Sequence, residues 1–343
     1  MLAPSGVMTP RPHDALFKAA FEATAHAAAL LRELLPAPIR DAIAWDTLRG
    51  EPASFVDPAL ADHHSDLLFS VRPCIDSAAV LHLLLEHQST ADPAMPLRTL
   101  SYQTRIWNRL RRAHPAAWLP PILTVIVSHA PGGWTTSRSL ADLFDPRLLA
   151  IPGLAASVPG ASLVIDDLAD PSSAALHARA LPAFPKLALW LLRDARDPRR
   201  LLDSFDTWSH TFAEAERGPA GIDAIATLFT YLLRVIDPMH HSELRAKIRL
   251  LGRRAEETAM TIAEQLHEEG RKEGLAKGRE EGREEGREEG RIAALRALLA
   301  AKFGPRTLDA GFEARLQAAS PEVIDRCLQR VLTADSLAAV FAD

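Results

Sequence analysis

Residues 80–90 read VLHLLLEHQST, an apolar run that closes on a carboxylate and an amide two positions apart, Glu86 and Gln88. An uninterrupted apolar run of this kind reads as the inside of a sheet. Successive strand side chains face opposite ways, so Glu86 and Gln88 share one face while Leu85 and His87 take the other. A buried strand that ends in this way delivers two oxygen-bearing side chains to one end of a sheet.

Working outward, candidate strands lie around 43–49, 64–72 and 79–88, and the second contains Asp66. Before them, Leu16, Phe17, Phe21, Leu30, Leu31, Leu34 and Leu35 recur at helical spacing, which predicts a helix over 14–35 that Pro36 stops. A helix follows over about 97–113. PILTVIVSH, near 121–129, is rich in β-branched residues and reads as another interior strand, and SLVIDDL, 162–168, as one more. The order helix, three strands, helix, strand implies a mixed sheet flanked by helices. From about 172 to 266 the pattern turns helical, with PKLALWLLRDA and IATLFTYLLRVI.

EEGRKEGLAKGREEGREEGREEGR, 268–291, sets glycine at 270, 274, 278, 282, 286 and 290. Like charges then meet at i and i+4, Arg279 with Arg283 and Glu280 with Glu284, and pairs at i+3 such as Glu280 with Arg283 offset part of this repulsion. Each glycine costs about 1 kcal/mol relative to alanine in a helix interior. Two readings stand: a solvated helical linker, or an oligomerisation rod in which partner chains approach along the glycine stripe. The remaining residues, 292–343, read as a small helical cap.

The 343 residues exceed one small core, and 48% hydrophobic with 24% charged residues makes the chain globular. A formal net charge of -5 argues against coating nucleic acid by bulk attraction, so a basic face must be found regionally. Cys74 and Cys327 stand far apart without a CxxC pair, which fits a reducing compartment and supplies no sulfur metal site. The first residues lack the charged start and apolar segment of a secretory signal, and nothing approaches the roughly 18 uninterrupted apolar residues of a membrane span. The expectation is a soluble, cytoplasmic protein.

If the strands that carry Asp66 and Glu86 pair, two carboxylates converge, and the backbone carbonyl of His87 can join them. Hard oxygen donors of this kind suit Mg²⁺ or another divalent cation, which polarises a phosphoryl oxygen and lowers the pKa of an attacking water. Gln88 would orient that water or donate to phosphate, because an amide supplies no charge. The plainer alternative is that Asp66 caps a strand and Glu86 emerges into solvent. Between Pro93 and Ala141 there is no Asp or Glu, while Arg98, Arg105, Arg109, Arg111, Arg112 and Arg138 all fall inside. Arg98, Tyr102, Arg105, Arg109 and Arg112 recur at three- or four-residue steps and form one stripe, with Leu100, Trp107 and Leu110 for the core side. Such a stripe either grips a nucleic-acid backbone or stays solvated and paired with acids from elsewhere. By strand parity His64, and not His63, would share the face of Asp66. His240 and His241, in PMHHSE, read as a helix-start turn.

PHDALFKAAF (12–21), LPAPIRDAI (35–43), SFVDPAL (54–60), HSDLLFSV (64–71) and LLEHQSTADPAMPLRTLSYQTRIW (84–107) resemble the Rpn family of recombination-promoting nucleases, also labelled putative transposases. The resemblance spans roughly residues 12–170. It implies a PD-(D/E)XK-like restriction-endonuclease core, with α-helical C-terminal extensions, and a metal-dependent DNA endonuclease. It carries Asp66 and Glu86 over as the acids of the second and third core strands, with Gln88 where many PD-(D/E)XK nucleases have lysine. Asp14 matches a family position, either as an additional site residue or as an N-cap of the first helix. Lys18 either contacts DNA or pairs with Glu22 at i+4.

The expected organisation is a flexible N-terminus at 1–12, a nuclease core at 13–170, a helical extension at 171–267, the repeat at 268–291 and the cap at 292–343. The expected partners are DNA, gripped by Lys18, Arg98, Arg105, Arg109 and Arg112, and further copies of the chain, joined through the repeat, with no membrane partner. The competing class is a catalytically weak DNA-binding or oligomeric scaffolding protein.

Overall fold

The computed structural model describes residues 12–52, 66–75, 79–169, 172–219, 221–304, 316 and 319–341. The readings placed on residues 1–11, 54–60, His63 and His64 lie outside them. The chain divides into two units, Met1–Ala263 and Glu264–Asp343.

The first unit is built on a five-stranded sheet in the order β1 (Ile43–Gly50), β2 (Leu67–Pro73), β3 (Leu81–Gln88), β4 (Ile122–Ser128), β5 (Leu163–Asp167). β1, β2 and β3 pair antiparallel, and β3, β4 and β5 pair parallel. The expected mixed sheet flanked by helices is therefore present, with every strand within about three residues of its expected bounds. β3 is buried on both faces, which is why its sequence is a continuous apolar run rather than an alternating one.

The preceding helical stretch is two helices, α1 (Pro12–Phe21) and α2 (Thr24–Leu34), where one was expected over 14–35. Their buried positions keep one phase across the junction, so periodicity carries no sign of the break. It sits at Ala23, whose backbone is extended, and His26 Nδ1 donates to Ala20 O at 2.9 Å across the turn. The break exists because the two helices have different partners: α1 packs on helices further along the chain and α2 on β1. A short helix, α3 (Ala37–Arg40), leads into the sheet.

One face of the sheet is covered by α4 (Met95–Ala113), whose Tyr102 and Ile106 pack on Leu68, Leu84 and Ile122. Tyr102 is thus a core residue rather than a member of the arginine stripe, and Met95, Thr99, Gln103 and Ile106 complete the buried side. After β4, Gly133 adopts φ +82°, and Trp134 N donates to Asp167 Oδ2. A Cβ on Gly133 would lie 2.8 Å from that same oxygen. Gly133→Ala is accordingly expected to cost about 1–3 kcal/mol of stability, read as a lower urea midpoint at unchanged slope.

Beyond α5 (Pro146–Leu149) and β5 come α6 (Ser173–His177), α7 (Ala183–Asp194), α8 (Pro198–Ser204), α9 (Ser209–Arg217), α10 (Gly221–Val235) and α11 (His241–Leu250). α7 is buried on all sides from Leu187 to Leu192 and packs on α1 and α9. Trp190 stacks on Trp208 with centroids 5.0 Å apart. Arg179, after α6, makes a two-pronged ion pair with Asp166 of β5, at 2.6 and 2.7 Å, so these helices are tied to the sheet. His240 closes a short turn and His241 begins α11, its Nε2 donating to Ile236 O.

α12 (Arg253–Phe303) contains the glycine repeat and runs from the first unit into the second. Every residue from 269 to 291 is exposed. Arg271 and Lys272 on Glu268, and Lys277 on Glu281, supply helix-face ion pairs worth a few tenths of a kcal/mol each. In the second unit Leu295, Leu299, Leu316, Ile324, Cys327, Val331 and Val340 form a small core with α13 (Pro321–Arg330) and α14 (Leu337–Val340).

Candidate active site at the ends of two neighbouring strands

β2 and β3 pair Leu67 with Leu85 and Leu68 with Leu84. One further step of this register sets Asp66 opposite Glu86, with Cβ atoms about 5 Å apart. Both side chains share the parity of Leu68 and Leu84 and so face α4. Gln88, buried, follows on the same face of β3. Asp66 immediately precedes β2, and Glu86 is 0% exposed, so Glu86 does not emerge into solvent.

A carboxylate buried this deeply is costly unless it is compensated. Glu86 Oε1 and Oε2 are both buried with no hydrogen-bond partner among the described residues. The nearest cation, Arg98, stands 3.6 Å from Glu86 Oε2, too far for a hydrogen bond, and directs Nη1 to Asp92 Oδ2 at 2.7 Å. Desolvation, reinforced by the charge of Asp66, pushes the Glu86 carboxyl well above the usual range. Burial likewise lifts Asp66 to about 7, the guanidinium of Arg98 opposing and the charge of Asp14 adding to the rise. Two facing acids that both resist ionisation form a site short of positive charge.

Tyr102 joins this face. Burial and the charges of Asp66 and Glu86 hold its phenol protonated far above the normal range. Among the residues from 98 to 112 the structure separates two sets: Arg98 turns inward to Glu86 and Asp92, while Arg105, Arg109 and Arg112 are exposed along α4. Asp92 lies one residue before the acid-free window begins. Lys18 is exposed on α1.

The opposite face of β3 holds a cluster with no local signal in sequence. His87 Nδ1 donates to Asp14 Oδ1 at 2.9 Å, and its ring stacks between Phe17 and His129, at 5.1 and 4.9 Å. His13, 4.8 Å from His129, is hydrogen-bonded to the Tyr231 hydroxyl. Burial depresses all three histidines, His13 to about 4, so they are neutral packing groups at ordinary pH. Asp14 lies inside the first turn of α1, three residues in, and its carboxylate holds His87. The His87 side chain is thus committed to the face opposite the acids.

The side chains gathered on the α4 face are therefore Asp66, Glu86 and the amide of Gln88. Among the described residues no three His, Cys, Asp or Glu side chains form a metal cage. Two facing carboxylates, of which Glu86 has both oxygens buried without a hydrogen bond among the described residues, fit a hard cation that keeps several waters, the habit of Mg²⁺, better than a zinc-type cage. No helix among the described residues is long and apolar enough to cross a membrane.

The family described as putative transposase, YhgA-like, matches residues 11–220. The chain is 30% identical over 264 residues to the inactive recombination-promoting nuclease-like protein RpnE of Escherichia coli (strain K12), covering 76% of this chain and 83% of that protein. It is 27% identical over 261 residues to the recombination-promoting nuclease RpnA of the same strain, covering 76% and 84%. To the recombination-promoting nuclease RpnD of Escherichia coli O157:H7 it is 26% identical over 281 residues, covering 76% and 96%. No solved structure matches the chain. With the match spanning the whole sheet, the acid pair and the helices that cover them, the chain belongs to the YhgA-like family of the Rpn recombination-promoting nucleases.

Proposed function

We propose that this chain is a divalent-cation-dependent DNA endonuclease with a PD-(D/E)XK-type core, acting in recombination and in the cytoplasm. The observation that carries the reading is the acid pair: Asp66, at the start of β2, faces Glu86 on β3, and both Glu86 oxygens are buried without a hydrogen bond among the described residues, Arg98 standing 3.6 Å away. Asp66, Glu86 and the main-chain oxygen of His87 would hold Mg²⁺ or a similar ion. Such an ion, when bound, supplies a polarised phosphoryl oxygen and a water of lowered pKa.

The remaining work falls to the chain itself. Gln88 donates its amide to a phosphate oxygen or orients the attacking water. Arg98 stays close enough to Glu86 to limit the repulsion between the acids without neutralising either one. Lys18, Arg105, Arg109 and Arg112 grip the sugar-phosphate backbone, which positions DNA without reading its sequence, so little sequence preference follows. Incubation with supercoiled plasmid and Mg²⁺ tests the reading: nicking by the wild type, abolished by chelator and by Asp66→Ala, is the expected result.

One observation favours a second reading, a catalytically weak DNA-binding scaffold: the relative at 30% identity bears the name inactive. In that case cleavage is absent with every divalent cation, while DNA binding survives chelation. The repeat bears on assembly under either reading. A variant that ends at residue 267 is expected to lose the oligomeric mass of the full chain in light scattering, and an unchanged mass removes the repeat from assembly.

A further inference from the structure

At the end of β3 away from the acid pair, a cleft of about 650 Å³ opens beside the C-terminal end of α4. Glu51, His82, Arg111, His114 and Trp118 line it. Trp118 is 97% exposed, whereas the other tryptophans of this unit that pack in cores are Trp134, Trp190 and Trp208. A large aromatic ring left in water gains much by finding a partner. The loop that presents it is fastened at both ends. Arg111 Nη1 donates to the carbonyls of Pro115 and Ala117, at 2.7 and 3.3 Å, and Trp107 Nε1 donates to Pro120 O at 2.8 Å. The ring is held out on a braced loop rather than stored against the protein.

His82 is the second, independent observation. It is 5% exposed, it lines the same cleft, and its Nδ1 is buried with no hydrogen-bond partner among the described residues. Burial keeps this imidazole neutral, so it offers a hydrogen bond rather than a charge. Glu51 is near enough for its charge to act on His82. A carboxylate in the cleft repels phosphate and accepts from an N–H. Beside His82 and Glu51 the lining therefore suits the polar edge of a flat heterocycle better than a phosphate.

The cleft lies at the end of the exposed arginine set, Arg105, Arg109 and Arg112. From Arg98, beside the acids, to Arg111, in the cleft, thirteen helical residues span about 20 Å. That is about six backbone steps of a DNA strand at 3.4 Å each.

We infer that this cleft is a base-binding subsite, in which one unpaired nucleobase of a bound DNA strand stacks on Trp118 and meets His82 and Glu51 by its polar edge. The inference rests on the reading of the chain as a DNA-binding nuclease and names its preferred substrate: DNA with an unpaired or splayed nucleotide about six positions from the bond that is cut. Base stacking tolerates any base, so the preference is for strand state and not for sequence.

Binding in chelator separates this inference from the question of cleavage. Labelled 20-nucleotide single strands and the matching duplex are titrated against the full chain by fluorescence anisotropy. Trp118→Ala is expected to weaken single-strand binding about tenfold, to leave duplex binding within twofold, and to leave the salt dependence unchanged, because stacking releases no counterions. Trp118→Phe is expected to restore most of the affinity. Equal single-strand affinity in Trp118→Ala and wild type, or an equal loss on duplex, overturns the subsite. Wild type that nicks plasmid but shows no such difference overturns the subsite and spares the nuclease reading. Wild type that binds neither form of DNA overturns both.

Discussion

Asp66→Ala is expected to lower plasmid nicking about a thousandfold with DNA binding retained. The two carboxylates are the hard donors on the α4 face, and removing one leaves Glu86 alone beside Arg98, 3.6 Å away. A cation's contribution to phosphodiester hydrolysis amounts to several kcal/mol, and each 1.36 kcal/mol is a factor of ten in rate. Glu86→Gln should lose as much activity, because its amide keeps the shape but not the charge. The exposed Arg105, Arg109 and Arg112 are untouched by either change, so affinity for duplex measured in chelator should stay within about twofold. Nicking that persists in both variants would remove the acid pair from the chemistry. Loss of nicking together with loss of DNA affinity would instead point to misfolding, which a thermal melt distinguishes.

The second large effect concerns stability, and its sign follows from the direction of the carboxyl shifts. Asp66 in the folded chain holds its proton up to about pH 7, and Glu86 is raised as well. In the unfolded chain both release their protons near pH 4. Between those limits the folded state binds more protons at these two groups than the unfolded one, so the pair's contribution to stability is full below about pH 4 and is lost as pH rises towards 7. A divalent cation takes the place of those protons, and its effect grows over the same interval. At pH 8, free Mg²⁺ at about a hundred times its Kd should add about 2.7 kcal/mol, a rise in Tm of about 5 °C or more, and at pH 5 the rise should nearly vanish. Asp66→Asn should raise the cation-free Tm at pH 8 and abolish the response to Mg²⁺. A Tm shift that is equal at both pH values, or that survives in Asp66→Asn, would mean that the ion binds elsewhere.

The two effects have one origin. A site short of positive charge is destabilised when its acids ionise, and the same shortage would favour the proposed divalent ion. Arg98 shows how the balance is kept. Its guanidinium is shared between Asp92 at 2.7 Å and Glu86 at 3.6 Å, so it screens the acids without closing the site.

Local period carried a large part of this architecture. The two-residue period of strand side chains was enough to place Glu86 and Gln88 on one face and His87 on the other, and helical spacing was enough to align Arg105, Arg109 and Arg112. The five strands fall close to their expected bounds, and β3 and β4 are the most legible because a strand buried on both faces must be apolar along its length. What period cannot encode is which distant segment a given face meets. Tyr102 shares the spacing of the arginine stripe, yet packs on Leu68 and Leu84 because the sheet lies beneath it. The helix expected over 14–35 breaks at Ala23 because its halves have different partners. His13 and Tyr231 meet across 218 residues, and His82 and Trp118 line one cleft from different elements. Residue types and their order thus determined the sheet and its faces. The pairing register, the partners of Arg98 and the braced loop of Trp118 were decided only in three dimensions, where burial and hydrogen-bond satisfaction act between segments that the chain keeps apart.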